Sequence, residues 1–254
     1  RIMGQSRRSN RTPMQTELVK TTELNPADRA AMYALLEAHF EGAVPEVFDT
    51  DLSLKNWVLL VKDAQGSLQG FSTLLMYDVA FEGELITVVY SGDTIMDPRA
   101  WSSSALSQAW VKGVNQLRTH YQGEKLYWLL ISSGFRTYRF LPTFWKTFYP
   151  RHSTPTPAKM QRLMHFLSVR QFGEWYDETA GLVRFPCPQK LKGALAGIPA
   201  ERMRNPHVRF FAENNPQAGQ GDELVCLTEI APENLTKAGQ RMWFGEVAVA
   251  TGRG

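Results

Sequence analysis

The stretch that decides the fold is YSGDTIMDPRAWSSSALSQAW, residues 90–110. Its first part is rich in apolar and β-branched residues, which is typical of a strand, and the Asp-Pro pair at 97–98 ends that strand. Small residues follow, and apolar residues then recur at the spacing of a helix face. The sequence therefore predicts a strand that leads through a short loop into a helix at about residues 103–119.

The loop has the properties of a phosphate-binding site. The first backbone N–H groups of a helix have no partner within the helix and lie at the positive end of its dipole, so they bind phosphate readily. Arg99 adds a charge-assisted contact, and the small side chains of Ser102, Ser103 and Ser104 let a phosphate approach the backbone. An ordinary helix capped by a serine is the alternative, because serine is a common cap.

Apolar patterns on both sides of this stretch predict the remaining elements of one unit. Asn25 and Pro26 are typical of a helix start, and apolar residues recur at helical spacing up to Phe40. Apolar runs bounded by turn residues predict strands at 56–62, 67–80, 85–96 and 125–132, and a helix at 140–148. The first three strands are joined by short turns, so we expect them to form an antiparallel meander.

The chain changes character after residue 150. Prolines mark a break, a helix is expected from Pro157 to about Phe172, and the residues up to 206 have no regular pattern. Strands at 207–213 and 222–230 flank a stretch of turn residues and predict a closing hairpin. The predicted division is a disordered tail at 1–16, a core at 17–150, an insertion at 151–206, a hairpin at 207–235 that completes the sheet, and a tail at 236–254.

Composition and motifs exclude several classes of protein. The net charge of +3 is too small to indicate nucleic-acid binding, and part of the excess lies in an Arg-rich start. The five histidines and two cysteines lack the spacings of a metal site, so no metal is expected. Neither a G-x-S-x-G elbow nor a P-loop occurs, which argues against a serine hydrolase and an NTPase. Two thiols, no apolar run of about 20 residues and no apolar leader predict a reduced, cytoplasmic protein without a transmembrane segment.

The order of elements and the loop together resemble the GNAT superfamily of N-acyltransferases. The phosphate-binding signature of that family is Gln or Arg, two residues, Gly, one residue, then Gly or Ala. The matching positions here are Arg99, Ser102 and Ser104, so both glycines of the signature are serine. The resemblance covers about residues 25–150 and, more loosely, the closing hairpin. It implies a fold of the α/β (α+β) class: a mixed, mostly antiparallel central sheet flanked by helices, with a helical and irregular insertion before the hairpin.

The resemblance also implies a reaction, in which an amine attacks the carbonyl of an acyl thioester. Ile95 and Met96 match the strand end that holds the pantetheine arm of the donor through its backbone, and N–H groups near Met96 would polarise the carbonyl. The strand at 125–132 matches the one that parts from it. The donor is acyl-CoA or an acyl carrier protein, as a co-substrate and not as a permanently bound cofactor; the serine-substituted loop leaves both open.

Two residues are the candidates for proton transfer. Asp93 is the first candidate for the base, ahead of Tyr90 and Glu84, because a carboxylate inside an apolar strand has a raised pKa when it is buried. Tyr138 matches the family's tyrosine that protonates the leaving thiolate. The alternatives are an Asp93 that faces solvent or pairs with an arginine, and a Tyr138 that packs in the core.

Two further groups of residues bear on the substrates. Aromatic residues cluster at 135–149 and either pack in the core or line a tunnel for a long acyl chain. Basic residues run from Arg151 to Arg170 and either face solvent or dock an acidic carrier protein. By analogy with the lipidating branch of the superfamily, the acceptor is a small amine or the lysine or ornithine side chain of a peptide. The alternative to an enzyme is a non-catalytic module of the same fold that binds an acyl thioester.

Overall fold

The computed structural model describes residues 14–100, 104–243 and 248–249. In chain order the elements are β1 (Gln15–Lys20), α1 (Pro26–His39), β2 (Phe40–Glu41), α2 (Pro45–Ser53), β3 (Trp57–Lys62), β4 (Leu68–Phe81), β5 (Glu84–Met96), α3 (Ala105–Leu117), β6 (Lys125–Ser132), α4 (Phe135–Tyr138), α5 (Phe140–Phe144), α6 (Ala158–Phe172), β7 (Tyr176–Asp177), β8 (Leu182–Val183), β9 (Lys190–Leu191), α7 (Pro206–Asn214), β10 (Glu223–Glu229), α8 (Lys237–Trp243) and β11 (Ala248–Val249).

Nine of the described strands form one sheet in the order β11-β1-β3-β4-β5-β6-β10-β8-β7, and β2 pairs antiparallel with β9 in a second, two-stranded sheet. The expected meander is confirmed, because β3, β4 and β5 are antiparallel neighbours. β5 then pairs in parallel with β6, and the crossover that such a pair requires contains α3. β6 pairs antiparallel with β10. The predicted fold class is therefore confirmed: the sheet is mixed, mostly antiparallel and flanked by helices.

Helices cover both faces of the sheet. α3, α4, α5, α7 and α8 pack on one face, in a core that includes Leu59 and Val89 of the sheet. α1 and α2 pack on the opposite face against Val58, and α6 packs beside them against Val88. Neighbouring residues of a strand thus enter opposite cores, which is the two-residue period of a strand. The two sides are called the α3 face and the α2 face below.

β5 and β6 part before β5 ends. Their parallel register stops at Ser91 opposite Leu130, whereas β5 continues beside β4 as far as Met96. Continuous apolar sequence explains why both strands are buried up to that point. The region of β5 from Ser91 to Met96, where β6 no longer pairs with it, is called the open end of the sheet.

A β-bulge lies at the open end. One residue of β4, Thr73, lies opposite two residues of β5, Gly92 and Asp93, because the register shifts there. A bulge adds one residue to a strand and re-aims the side chains that follow. Ser91 before the bulge and Thr94 after it consequently both face α3, and Asp93 is left to face α2 and its neighbours.

The predicted hairpin at 207–235 is wrong. Residues 207–213 form most of the helix α7 instead of a strand, and β10 pairs with β6 and β8. The helix begins as α1 does: Pro206 takes the first position, and Oδ1 of Asn205 accepts hydrogen bonds from the N–H groups of His207 and Val208 at 2.9 and 3.3 Å.

Other boundaries also differ from those predicted. The core begins two residues earlier than expected, since β1 starts at Gln15 and pairs with β3. The segment 236–254 contains the helix α8, which packs on α3 and α5. The insertion at 151–206 includes the expected helix α6, together with β7 and β8, which extend the sheet beyond β10. The aromatic stretch after β6 forms two short helices, α4 and α5.

Candidate active site at the open end of the sheet

An apolar pocket lies on the α3 face of the open end. Its strand residues include Ser91 and Leu130, where the parallel register stops, and its wall includes Trp110, Trp128 and Trp145. The rings of Trp110 and Trp128 lie 4.3 Å apart between centroids, and the indole N–H of Trp128 donates to the hydroxyl of Ser91 at 2.9 Å. The pocket measures about 30 Å³, which is room for a small group only.

A cluster of charged groups lies on the opposite, α2 face of the same end. Lys55, at the C-terminal end of α2, is 4% exposed, and its ammonium group donates to the two carboxylate oxygens of Asp51 at 2.7 and 2.8 Å. The same ammonium lies 5.3 Å from the centre of the Tyr90 ring. The negative charge of Asp51 raises the pKa of both Asp93 and Glu223, and the charge of Asp93 also raises that of Glu223. These residues are called the acidic cluster: Asp51, Lys55, Tyr90, Asp93 and Glu223.

Two carboxyl groups of the acidic cluster hold a proton at unusually high pH. Burial raises the pKa of Asp93 to about 7; Asp51 adds to the rise and Lys55 opposes it. Burial also raises the pKa of Glu223 to about 8, with further contributions from Asp93 and Asp51. No hydrogen bond or ion pair to either carboxylate is found in the described part of the chain. Nothing there stabilises the charged forms by direct contact, so a general base that titrates near neutral pH is available.

The bulge leaves room for the lysine. A Cβ atom on Gly92 would lie 2.7 Å from Cε of Lys55 and 2.6 Å from the hydroxyl of Thr73, so a larger residue there would have to displace one of these side chains. Thr73 is 1% exposed and its hydroxyl has no hydrogen-bond partner among the described residues. The acidic cluster is therefore packed directly against the backbone of the bulge.

The loop before α3 is described only in part. Ser102 and Ser103, predicted to approach a phosphate, lie outside the described residues, and so does Trp101. Ser104 is exposed and does not cap α3 with its side chain; its hydroxyl instead accepts a hydrogen bond from Gln108 at 2.6 Å. The alternative of a serine-capped helix is thus not seen at Ser104.

Arg99 is exposed but already has a partner. Its guanidinium donates to both carboxylate oxygens of Asp97, at 3.0 and 2.8 Å, and this contact lowers the pKa of Asp97. The backbone N–H of Asp97 donates to Gln69 at 2.7 Å, which fixes the end of β5. Ile95 is buried against α1 and α2, and Met96 ends the strand as predicted. A phosphate at this loop would compete with Asp97 for Arg99.

The other candidates for proton transfer lie elsewhere. Tyr138 is fully buried in the α3-face core, its hydroxyl donates to the carbonyl of Pro150 at 3.0 Å, and burial raises its pKa. The structure does not bring Tyr138 to the acidic cluster. Glu84 lies at the other end of β5, where it pairs with Lys159 at 3.0 Å. Tyr90 belongs to the acidic cluster, but burial raises the pKa of its hydroxyl too far for it to act as a base.

Most of the predicted basic run makes contacts within the chain. Lys159 pairs at 3.0 Å with Glu84 at the start of β5, and Arg162 pairs at 2.7 Å with Glu82 in the turn before it. Arg170 lies 5.5 Å from the ring of Tyr77. Within the described ranges there is no group of His, Cys, Asp and Glu that could hold a metal ion. No helix of that part of the chain is long and apolar enough to span a bilayer.

Sequence reasoning missed Lys55 and Glu223. A signal existed for Glu223: it lies in the predicted strand at 222–230 and shares the inward-facing parity of Val225 and Leu227, which are buried under α6. No pattern marked Lys55, because a lysine between a helix and a strand is normally exposed.

Comparisons with known proteins return distant likenesses only. No protein-family model matches the chain, and no curated protein matches it. A GNAT-family N-acetyltransferase from Escherichia coli in complex with CoA is 19% identical over 56% of this chain and 72% of its own, with a TM-score of 0.39. A probable N-acyltransferase from Enterococcus faecalis is 14% identical over 54% of this chain and 33% of its own, with a TM-score of 0.40. The ribosomal-protein-S18-alanine N-acetyltransferase of Escherichia coli is 13% identical over 56% of this chain and 85% of its own, with a TM-score of 0.37.

Proposed function

We propose that the protein is an N-acyltransferase that moves an acyl group from a CoA thioester to an amine. The observation that carries this proposal is the open end itself. An apolar pocket lies on one face of the sheet, titratable carboxyl groups lie on the other, and β5 and β6 do not pair between them. A thioester that reaches the gap from the α3 face would meet an amine that arrives from the α2 face.

The donor would lie along the end of β5. Its pantetheine arm would pass between β5 and β6, and its phosphates would lie at the first turn of α3, where Arg99 is 86% exposed and Ser104 provides no competing cap. The acyl group would enter the pocket lined by the tryptophans. Because the pocket measures about 30 Å³, we favour a short acyl group over a long fatty chain. Because Lys159 and Arg162 are already paired, we favour CoA over an acyl carrier protein.

Asp93 would act as the base. It takes one proton from the ammonium group and releases it to solvent; the free amine then bonds to the thioester carbonyl carbon and gives a second proton to Asp93, and the carbon–sulfur bond breaks. The proton on Asp93 then passes to the leaving thiolate, so the carboxylate is restored and no external acid is needed. A pKa of about 7 suits this exchange, since the group both accepts and returns a proton near neutral pH.

The acceptor would be a cationic amine. The ionised form of Asp93 would attract an ammonium group on the α2 face before that group is deprotonated, whereas Asp51 is already paired with Lys55 and Glu223 holds its proton at neutral pH. A lysine or ornithine side chain of a peptide fits this requirement, because it brings a single ammonium group on a slender apolar stem. The serine-substituted loop supports the second candidate, a module that binds an acyl thioester without turnover.

The test is incubation of the protein with CoA thioesters from acetyl to palmitoyl, with and without a lysine-containing peptide. Release of free CoA that depends on the peptide, together with the matching mass increase of the peptide, is the expected result for the enzyme. Binding of a thioester in native mass spectrometry without any release of thiol would instead establish the binding module. No binding of any thioester would overturn both.

A further inference from the structure

Four cationic or protonatable side chains lie together where α4, the segment after Phe148 and the start of α7 meet. They are Arg139, Arg151, His152 and His207, here called the basic cluster. The imidazoles of His152 and His207 meet edge to face, 4.6 Å apart between centroids. His207 and the guanidinium of Arg151 both pack on the ring of Phe148, at 5.8 and 5.3 Å. None of these residues belongs to the open end of the sheet.

The positive charge of the basic cluster is not compensated by the described residues. Neither Arg139 nor Arg151 has a carboxylate at ion-pair distance in that part of the chain. Burial lowers the pKa of His207, and the neighbouring His152, Arg151 and Arg139 lower it further. Like charges placed together raise the free energy of the folded state, and a bound anion would relieve that cost.

Two nitrogen atoms of the basic cluster also lack a hydrogen-bond partner within the described ranges. Nε of Arg151 and Nδ1 of His207 are buried and make no hydrogen bond to any described residue. Another nitrogen of the same guanidinium, Nη1, donates to the carbonyl of Lys146 at 2.7 Å, so the side chain is held in place while Nε remains unpaired. A buried polar atom without a partner costs about 1–3 kcal/mol, which indicates that a ligand supplies the missing acceptor.

The surrounding contacts fix the basic cluster in one arrangement. The hydroxyl of Tyr138 donates to the carbonyl of Pro150 at 3.0 Å, and this bond ties α4, which precedes Arg139, to the segment that carries Arg151 and His152. His207 lies in the first turn of α7, where the helix dipole adds positive potential. The buried Tyr138 therefore has a structural use that does not involve proton transfer.

We propose that the basic cluster is a binding site for a phosphoryl group. A phosphate carries about −1.5 to −2 charge at pH 7 and three strong acceptor oxygens, whereas a carboxylate carries a single charge and two oxygens. Two guanidinium groups and two imidazoles offer the donors that such a dianion requires. The phosphoryl group comes either from free phosphate or from a small phosphorylated molecule, including a nucleotide. The proposal does not rest on acyl transfer.

The experiment follows the imidazole resonances of His152 and His207 by NMR while inorganic phosphate is added at constant ionic strength. Saturable shifts and a rise in the pKa of His207 are expected. Arg139→Gln and His152→Gln should each weaken phosphate binding by about tenfold, which is 1.4 kcal/mol. Arg209→Gln removes one charge from an exposed position of the same helix and should leave binding unchanged.

Several outcomes would overturn the proposal: no saturation below about 10 mM phosphate, equal shifts with acetate, or an equal loss of binding in the Arg209→Gln control. Competition experiments separate the two sources of the phosphoryl group. Displacement of phosphate by CoA but not by dephospho-CoA would show that the site takes the 3′-phosphate of that nucleotide. Saturable phosphate binding that neither compound displaces would support a site for a separate phosphorylated ligand.

Discussion

The two ends of the strand pair β4–β5 place an aspartate carboxylate in opposite environments. At the closed end, where β5 is paired on both sides, Asp78 of β4 accepts hydrogen bonds from the hydroxyl of Thr87 at 2.6 Å and from the N–H of Gln122 at 2.9 Å. At the open end, Asp93 receives no hydrogen bond from the described residues. The same two strands thus carry one carboxylate that accepts hydrogen bonds and, at the other end, one that accepts none from the described residues.

The pKa values of the two aspartates diverge for that reason. Burial favours the neutral form of Asp78, but the hydrogen bonds from Thr87, Gln122 and Gly123 outweigh it and lower the pKa. Burial of Asp93 is opposed by the charge of Lys55 but by no hydrogen bond from the described residues, and the pKa rises to about 7. The difference follows the pairing of β6. Where β6 pairs with β5, the loop before β6 donates hydrogen bonds to the aspartate and keeps it ionised.

The largest expected effect would break the closed end. A Cβ atom on Gly123 would lie 2.1 Å from the backbone nitrogen of Thr87, a contact that cannot be relieved without moving β5. Gly123→Ala should therefore lower the free energy of unfolding by about 3 kcal/mol. Urea denaturation measures this, with Gly219→Ala as the control because that glycine has nothing within 4 Å of an added Cβ. Equal stability of the two variants would contradict the packing described here.

A pair of matched substitutions, one at each end, should affect the catalytic rate at the open end and the stability at the closed end. Asp93→Asn should lower kcat/KM for acyl transfer by about a hundredfold or more, because the base is lost, while stability is unchanged or slightly higher. Asp78→Asn should leave the rate unchanged and lower the free energy of unfolding by about 1–2 kcal/mol, because two backbone N–H groups lose a charged acceptor. Steady-state kinetics and urea denaturation of both variants measure these effects. An equal loss of rate in the two variants, or a larger loss of rate in Asp78→Asn, would contradict the different roles of the two aspartates.

The two ends should also respond oppositely to pH. The pKa values of Asp93 and Glu223 rise from 3.8 and 4.5 to about 7 and about 8, so the folded state holds protons that the unfolded chain has released. Stability should therefore fall as the pH rises from about 4 to about 8, whereas the contribution of Asp78 is lost only in acid. Unfolding free energies at about pH 5 and about pH 8 should differ by about 2–3 kcal/mol less in Asp93→Asn than in the wild type. A rate that does not rise with pH through about 7 would argue against Asp93 as the base.

The smallest effect concerns the lysine at each end. Lys55→Met removes the positive charge that holds down the pKa of Asp93, so the pH–rate profile should move to higher pH. Lys159→Met breaks the exposed contact with Glu84 and should leave both the stability and the pH–rate profile nearly unchanged, because solvent screens that pair. If both variants keep the wild-type profile, Lys55 has no part in setting the pKa.

The sequence predicted those parts of the fold whose patterns are local. β3 and β6 are mostly apolar runs, β4 and β5 are rich in apolar and β-branched residues, and α3 and α6 have an apolar face, so the sequence predicts all of them near their observed bounds. The residues of α7 predict a strand by composition, since Val208, Phe210 and Phe211 favour strands. The Asn205-Pro206 start, which is the same signal as at α1, should have taken precedence.

Of the acidic cluster, the sequence indicates Asp93 but not Glu223 or Lys55. Asp93 was found because it interrupts an apolar strand, and that signal lies within the sequence around it. Glu223 and Lys55 belong to distant segments that the fold brings to the same bulge, so no local pattern relates them to Asp93. The role of Tyr138 stays a prediction without support from its position, because a tyrosine in an aromatic cluster packs in the core as readily as it lines a site.

The position of β10 between β6 and β8 in the sheet has a consequence for the order of folding. The meander β3–β5 joins neighbouring segments and can form early, but β6 must wait for a partner about ninety residues further along the chain. During synthesis β6 therefore presents an unpaired edge, and the acidic cluster lacks Glu223. The acidic cluster is completed only when β10 docks, so a nascent chain would acquire it as one of its last long-range contacts.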